Sequence, residues 1–191
     1  MPDALSPNTI LPVKPESART ADSRDEGAIF GALIEMHRHN NNGWGWYYRP
    51  EIVLARIETA TRHDVTTRTN PNDKRIGVIG VIGPVGGPLV GTVGIFMEPA
   101  TWFTDFLVPT ELWLYVRKGE RGAAHHERDL MAYAEWFHAG MKVGMEKPGA
   151  PPMPLLTGFM HMGNRFSGME RLWRRLVGDR MRRTGVLYMK D

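Results

Sequence analysis

No cysteine occurs among the 191 residues. This absence excludes a disulfide scaffold, a thiolate zinc site, an iron–sulfur cluster and a cysteine nucleophile. It also fits a reducing compartment, so we expect a cytoplasmic location. Long apolar runs are missing as well, since none approaches the ~18 residues that suggest a membrane span. The first residues lack the charged-then-apolar layout of a secretory signal, and we expect no membrane partner.

Charge of one sign is scarce. Lys and Arg number 24 against 21 Asp and Glu, which gives a formal net charge of +3. That balance permits an anionic ligand without demanding nucleic acid. Two nucleotide motifs are also missing, Gly-x-x-x-x-Gly-Lys-Ser/Thr and a Gly-x-Gly-x-x-Gly that follows a strand. Nucleotide hydrolysis and dinucleotide binding are therefore poor fits.

The N-terminal part of the chain shows no sustained periodicity. Residues 1–25 are rich in Pro, Ser, Asp and Ala, so we expect a flexible arm followed by a single domain over residues 26–191. Apolar residues then recur at helical spacing over residues 26–37, where Asp25 suits the position of an N-terminal cap. A second helix is predicted after Pro50, with Ile52, Val53 and Ile57 in its buried stripe.

The middle and the end of the chain alternate between strand and helix patterns. Strands are predicted at residues 75–82, 89–97, 111–116, 155–162 and 185–190, and helices at residues 124–143 and 169–177. The first two strands flank a Gly/Pro-rich turn and predict a hairpin. The strand at 111–116 has little polar alternation, which is typical of a central strand. The fold class is therefore α/β, with a mixed sheet flanked by helices.

One junction suggests chemistry. After the strand that ends at Val116, a short polar loop leads to a helix that begins among the small residues Gly122, Ala123 and Ala124. A helix start presents backbone N–H groups without partners and the positive end of the helix dipole, which together suit a phosphate. Arg117, Lys118 and Arg121 add positive charge, as the printed sequence shows. The alternative is that this junction, like most junctions in α/β proteins, binds nothing.

Several short motifs after Leu89 together resemble the GNAT acyltransferase superfamily, and they are similar in particular to small GNAT-like proteins of tailed phages. The motifs are Val90-Gly91, the strand Glu111–Val116, Arg121-Gly122, Ala134-Glu135-Trp136, the strand Leu155–Met162, Asn164 and the helix Leu172–Gly178. The resemblance implies a GNAT-like central mixed sheet. It also implies an N-acyltransferase that uses acetyl-CoA on an amine of a small molecule or a protein.

The resemblance also implies where the cosubstrate binds. The backbone of Leu114, Tyr115 and Val116 pairs with the pantetheine arm, and amides of the following loop hold the pyrophosphate. The residues implied in that loop are Arg121, Gly122, Ala123, Ala124, His125 and His126, and Asn164 follows the next strand.

The sequence departs from the family pattern at two places. Ala124 and His126 stand at positions where the phosphate loop has small residues, and the nearest aromatic residue on the helix after Asn164 is Trp173 rather than a tyrosine. An indole N–H is no proton donor at neutral pH. These departures favour the alternative, a catalytically inactive binding or structural protein with a GNAT fold, such as a phage virion component.

Acyl transfer to an amine requires a group that accepts a proton. Glu111 opens the central strand and His161 lies near the end of the strand before Asn164, so these two residues are the catalytic candidates. A carboxylate beside an apolar slot has a raised pKa. The alternatives are a glutamate paired with an arginine and a packed histidine. Glu98, at the end of the hairpin, is a similar candidate.

The remaining polar clusters carry weaker signals. No recognised metal-site spacing joins the candidate ligands, so we expect no metal: they are His37, His39, His125, His126 and Asp129. A cluster of arginines near the C-terminus suits a solvated helix face, nucleic acid or the acidic surface of another protein chain. It consists of Arg171, Arg174, Arg175, Arg180, Arg182 and Arg183.

Overall fold

The computed structural model describes residues 12–39, 49–62, 77–99, 107–120, 125–145 and 155–157. All of them fall in the first of two compact units into which the chain divides, Met1–Gly158. The predicted helix at 169–177, the predicted strand at 185–190 and most of the predicted strand at 155–162 lie outside the described residues.

Helices and strands alternate in the described part as the sequence predicts. The helices are α1 (Glu26–His39), α2 (Pro50–Thr61) and α3 (His126–Met145). The strands are β1 (Arg19–Thr20), β2 (Gly77–Ile82), β3 (Gly91–Pro99), β4 (Leu107–Val116) and β5 (Leu156–Thr157). A 3₁₀ turn at Ser23–Asp25 precedes α1.

The strands form one sheet in the order β1-β2-β3-β4-β5. The first four are antiparallel to their neighbours, whereas β4 and β5 are parallel. The predicted hairpin is confirmed, because β2 and β3 pair from Gly77 opposite Phe96 to Ile82 opposite Gly91. The central position of β4 is confirmed too, although the strand begins four residues before Glu111. The fold class predicted from the sequence, a mixed α/β sheet flanked by helices, is therefore correct.

The apolar stripes of α1 and α2 pack on one face of the sheet. Ile29 and Ile57 are buried in a cluster with Ile79, Phe96 and Trp113. On α2 the stripe therefore runs through Val53 and Ile57 rather than through Ile52, whose side chain is 51% exposed. The prediction for Ile52 was wrong because this residue lies about 100° around the helix from Val53.

Helix α3 covers the opposite face of the sheet. Tyr133 packs against Gly80 of β2, and Leu130 packs against Gly91 of β3. Both are fully buried. The sheet is thus a middle layer between helices, and β4 is shielded on both faces.

The segment before α1 differs from the loose arm that the sequence predicts through residue 25. Arg19 and Thr20 pair with Val81 and Gly80 of β2, and the side chains of Ala18 and Ala21 are buried. The reason is an edge that needs a partner: β2 has backbone groups on the side away from β3, and β1 satisfies them.

An ion pair fastens this segment to the hairpin turn. The Arg19 guanidinium donates to both carboxylate oxygens of Asp25 at 2.7 and 2.8 Å, and its Nε donates to the carbonyl oxygen of Gly83 at 2.9 Å. Asp25 also accepts hydrogen bonds from the N–H groups of Asp22 and Gly86. The carboxylate that we expected to cap α1 therefore joins the N-terminal segment to the turn. Gly86 has a φ of 65°, a conformation that favours glycine.

The Asp25→Asn substitution tests this ion pair. The Arg19 guanidinium holds the pKa of Asp25 below its ordinary value of 3.8, so the pair stabilises the fold above that pH and less in stronger acid. Removing one partner of a buried pair costs about 3 kcal/mol. We expect urea unfolding at neutral pH to show a loss of about that size, which shrinks below about pH 4.

The control is Glu51→Gln, which breaks an exposed ion pair with Arg49 and should leave stability unchanged. An Asp25→Asn protein as stable as the parent at neutral pH would show that the Arg19–Asp25 pair contributes nothing.

Candidate functional site

Strand β4 carries an irregularity in its middle. Trp113 lies opposite Gly94 and Glu111 lies opposite Ile95, so Leu112 is an extra residue on β4. Such a bulge increases the local twist and changes the direction in which neighbouring side chains point. Leu112 is 37% exposed, whereas Glu111 and Trp113 on either side of it are buried.

Glu111 is a buried carboxyl group without a counterion in the described part of the chain. Its side chain belongs to a residue that is only 4% exposed, and its Oε2 atom has no hydrogen-bond partner among the described residues. Burial raises the pKa of Glu111 from its ordinary 4.5 to about 8. The alternative of a strand-end glutamate paired with an arginine is therefore not what these residues show. A carboxyl group with such a pKa exchanges a proton near neutral pH.

Glu98 has the opposite environment. Its carboxylate forms an ion pair with Arg56 of α2, whose guanidinium also lies 5.6 Å from the centroid of the Phe96 ring. For Glu98 the structural alternative considered from the sequence is the correct one. Glu98 stabilises the packing of α2 on the sheet, and Glu111 is the carboxyl group that stays without a charged partner among the described residues.

The parallel pairing of β4 and β5 begins next to Glu111. Thr110 lies opposite Leu156, and Glu111 lies opposite Thr157. The residues for which the sequence implies backbone pairing with a cosubstrate lie further along β4 in the direction of its C-terminal end. On their β3 side, Leu114, Tyr115 and Val116 pair with Val93, Thr92 and Gly91.

The loop after β4 starts with a fixed turn. The N–H of Arg117 donates to the carbonyl oxygen of Val90 at 2.9 Å, and the N–H of Glu120 donates to the carbonyl oxygen of Arg117 at 2.9 Å. The Arg117 guanidinium lies 3.3 Å from the Glu35 carboxylate of α1, in an ion pair whose geometry leaves its Nε without a hydrogen bond among the described residues. The turn thus directs the chain from the end of β4 toward the start of α3.

Helix α3 begins at His126. The first intrahelical bond runs from the N–H of Asp129 to the carbonyl oxygen of His125 at 2.8 Å. The N–H groups of the three preceding residues, His126 to Arg128, therefore have no acceptor within the helix. Inside the same turn, the Nδ1 atom of His126 is buried and has no partner among the described residues. The helix start thus offers unused donors at the C-terminal end of β4.

Other predicted residues lie outside the described part of the chain. They are Arg121, Gly122, Ala123 and Ala124 of the phosphate loop, His161, Asn164 and the C-terminal arginine cluster. Among the residues that the structure describes, no group of three or more metal-ligating side chains is placed to hold an ion. Within that same part, no helix has the length and apolar character to cross a membrane.

Sequence reasoning missed a second feature of α3. An apolar cavity of about 290 Å³ is lined by Pro12 and by residues in the second half of the helix, among them Trp136, Phe137 and Met141. None of the predicted site residues lines it. The ring of Trp136 also lies 5.3 Å from the Lys14 ammonium group. The cavity therefore marks a contact between α3 and the N-terminal segment, away from the helix start.

The Glu111→Gln substitution tests the buried carboxyl group. Between about pH 4.5 and pH 8 the unfolded protein ionises Glu111 while the folded protein keeps it protonated, so the parent protein loses stability as the pH rises. Glutamine does not ionise. We expect the variant to gain stability relative to the parent, by on the order of a few kcal/mol, between about pH 5 and about pH 8. Urea unfolding at both pH values measures the gain, and parallel pH profiles of the two proteins would contradict it.

Comparisons with known proteins extend these observations. No protein-family model matches this chain, and no curated protein matches it either. Solved structures are similar. A tetramutant of the BH1408 protein from Bacillus halodurans has a TM-score of 0.53 at 13% identity, over 90% of this chain and 99% of that chain.

Two further structures are similar over most of their length. The aminoglycoside acetyltransferase meta-AAC0020, from an uncultured soil metagenomic sample and in complex with sisomicin, has a TM-score of 0.55 at 7% identity, over 91% of this chain and 94% of that chain. AAC(6')-Iy, in complex with the bisubstrate analog CoA-S-monomethyl-acetylneamine, has a TM-score of 0.52 at 11% identity, over 91% and 97%. The chain therefore has the fold of these acetyltransferase structures, as its resemblance to the GNAT superfamily implies.

Proposed function

We propose that this protein is an N-acetyltransferase that transfers an acetyl group from acetyl-CoA to the amine of a small molecule or a protein. The observation that carries the proposal is Glu111. It is a buried carboxyl group with an oxygen that lacks a partner among the described residues, on the strand that pairs in parallel with β5. In a fold shared with acetyltransferase structures, this is a suitable place for the group that receives a proton from the amine.

The chain has residues that fit coenzyme A. The N–H groups at the start of α3 lack acceptors within the helix, and a helix start favours a diphosphate through its dipole. The proposed diphosphate ligands are the amides from Arg121 to His126, with Asn164 as a further contact. The proposed pantetheine contacts are the backbone groups of Leu114, Tyr115 and Val116. When bound, acetyl-CoA supplies an activated acetyl thioester.

Glu111 has the role of proton acceptor in this proposal. An amine that attacks a carbonyl group must give up a proton, and a carboxylate with a raised pKa accepts it more readily than an ordinary one. The raised pKa comes from burial, which disfavours the charged form. His161 is the second candidate from the sequence for this role.

The acceptor is proposed by chemical class. The meta-AAC0020 structure contains sisomicin, and AAC(6')-Iy contains an analog of acetylneamine joined to CoA. Both names describe amine-bearing small molecules bound by those proteins. We infer that a small-molecule amine is the first acceptor class to examine here, with protein amines as the second.

Isothermal titration with acetyl-CoA tests the cosubstrate. We expect binding by the parent protein and none by Arg121→Glu, since a carboxylate at that position repels the diphosphate. The control is Arg49→Glu, a reversal of charge at an exposed residue on α2 that pairs with Glu51. This variant should bind as the parent does. No binding by the parent at about millimolar acetyl-CoA, which corresponds to about −4 kcal/mol, would contradict the proposal.

Turnover has a predicted pH dependence. The carboxylate fraction of Glu111 grows tenfold per pH unit up to about pH 8, so we expect kcat/KM to rise with pH to that point and then to level off. Glu111→Gln should lower kcat/KM by roughly 10²–10⁴-fold and should lose this rise. Thiol release in the presence of a panel of amines measures both effects. A variant with the parent's rate and pH profile would show that another group accepts the proton.

One observation favours the second candidate function, a GNAT-fold protein that binds coenzyme A without turnover. The half-buried imidazole of His126 stands at the first residue of α3, where the resembled phosphate loop has a small residue. The same assay separates the two functions. Binding of acetyl-CoA without thiol release, over the whole amine panel, would favour the non-catalytic protein.

A further inference from the structure

Tyr133 of α3 contacts two adjacent strands at once. Its side chain is fully buried, and its ring lies directly over Gly80, where a Cβ atom would come within 2.5 Å of the ring. Its hydroxyl oxygen is 2.8 Å from Oγ1 of Thr20. Thr20 is the residue that pairs with Gly80 across β1 and β2. The tyrosine therefore occupies a seat that only glycine leaves open, and it is tied at its far end to the neighbouring strand.

This contact differs in kind from the other buried contacts of α3. Leu130, Met131 and Ala134 are apolar and buried, and apolar contacts have no preferred direction. A hydrogen bond has a strict distance and angle. The Tyr133–Thr20 bond therefore restricts sliding and rotation of α3, which the apolar contacts alone tolerate.

The N-terminal segment adds a second tie near the helix start. Oγ of Ser17 donates to the carboxylate of Asp129 at 2.5 Å. Asp129 is one turn before Tyr133 and is also the residue whose N–H makes the first intrahelical bond. Both ties come from the same short segment, which is itself held to the sheet by β1 and by the Arg19–Asp25 ion pair.

We propose that Tyr133 is a positioning residue that, together with Gly80 and Thr20, sets the position of α3 so that its first N–H groups meet the diphosphate of coenzyme A. This inference rests on the proposed function. Tyr133 is seven residues from His126, which is about 10 Å along the helix, so it acts through the helix and not by contact. When α3 is free to shift, only part of the population has its first turn in place, and the apparent Kd rises by the inverse of that fraction.

The experiment measures the Kd of acetyl-CoA for Tyr133→Phe, Thr20→Val and the double variant. Each single change removes one partner of the same hydrogen bond and keeps the side-chain shape. Loss of one such bond, worth ~1 kcal/mol, predicts a Kd about fivefold higher for each single variant. We expect the double variant to match the single variants, because the same bond is lost.

A matched control separates positioning from stability. Thr61 is a buried threonine on α2 whose hydroxyl hydrogen-bonds to the carbonyl oxygen of Ile57 and to Glu26. Thr61→Val makes the same chemical change as Thr20→Val and also lowers stability, but it leaves α3 untouched. We expect its Kd for acetyl-CoA to equal that of the parent. A Kd raised as much by Thr61→Val as by Thr20→Val would overturn the inference.

Hydrogen exchange gives a second readout that does not need the ligand. In Tyr133→Phe and Thr20→Val, the amides of Asp129 and Leu130 should exchange faster, while those at the centres of β2 and β3 keep the parent's rates. If the parent protein binds acetyl-CoA and both variants bind it equally well, the inference is wrong and the proposed function stands. If the parent protein does not bind acetyl-CoA, the proposed function fails. Unchanged exchange at Asp129 and Leu130 would then overturn the positioning role as well.

Discussion

The change of strand direction at β4 is the constraint on which the rest depends. β4 is antiparallel to β3 and parallel to β5, and a parallel neighbour requires a connection that crosses back along the sheet. Helix α3 lies in that connection. Its start therefore lies on the chain directly after the C-terminal end of β4, the end at which open α/β sheets bind their ligands. A bound diphosphate and a proton acceptor on β4 both follow from this single arrangement.

Three carboxyl groups show how the fold assigns different roles to similar residues. Asp25 is buried beside Arg19, and Glu98 is paired with Arg56, so both stay charged and join segments of the chain. Glu111 is buried with no such cation among the described residues, and burial raises its pKa. The cost of burying a charge is offset by a partner in the first two cases. In the third it is not, and the group keeps its proton to a higher pH.

The N-terminal segment belongs to the architecture around α3. Its backbone extends the sheet, its Arg19 fixes the hairpin turn, and its Thr20 and Ser17 bond to Tyr133 and Asp129 of the helix. The sheet presents a flat apolar surface, on which directional polar contacts define one position for a helix. The first turn of α3 is therefore connected to the edge of the sheet that is farthest from β5.

The sequence by itself determined the helices, the hairpin, the central strand and the order in which they follow, because periodicity of apolar residues and turn chemistry are local properties. It also singled out Glu111 and the start of α3. It did not determine that Arg19 and Thr20 form a strand, that Ile52 faces solvent, or that Leu112 is an extra residue in β4. Those features, like the absence of a counterion beside Glu111 in the described residues, depend on which distant segments pack together. Burial and partner choice exist only once the layers have formed, so the tertiary structure alone decided them.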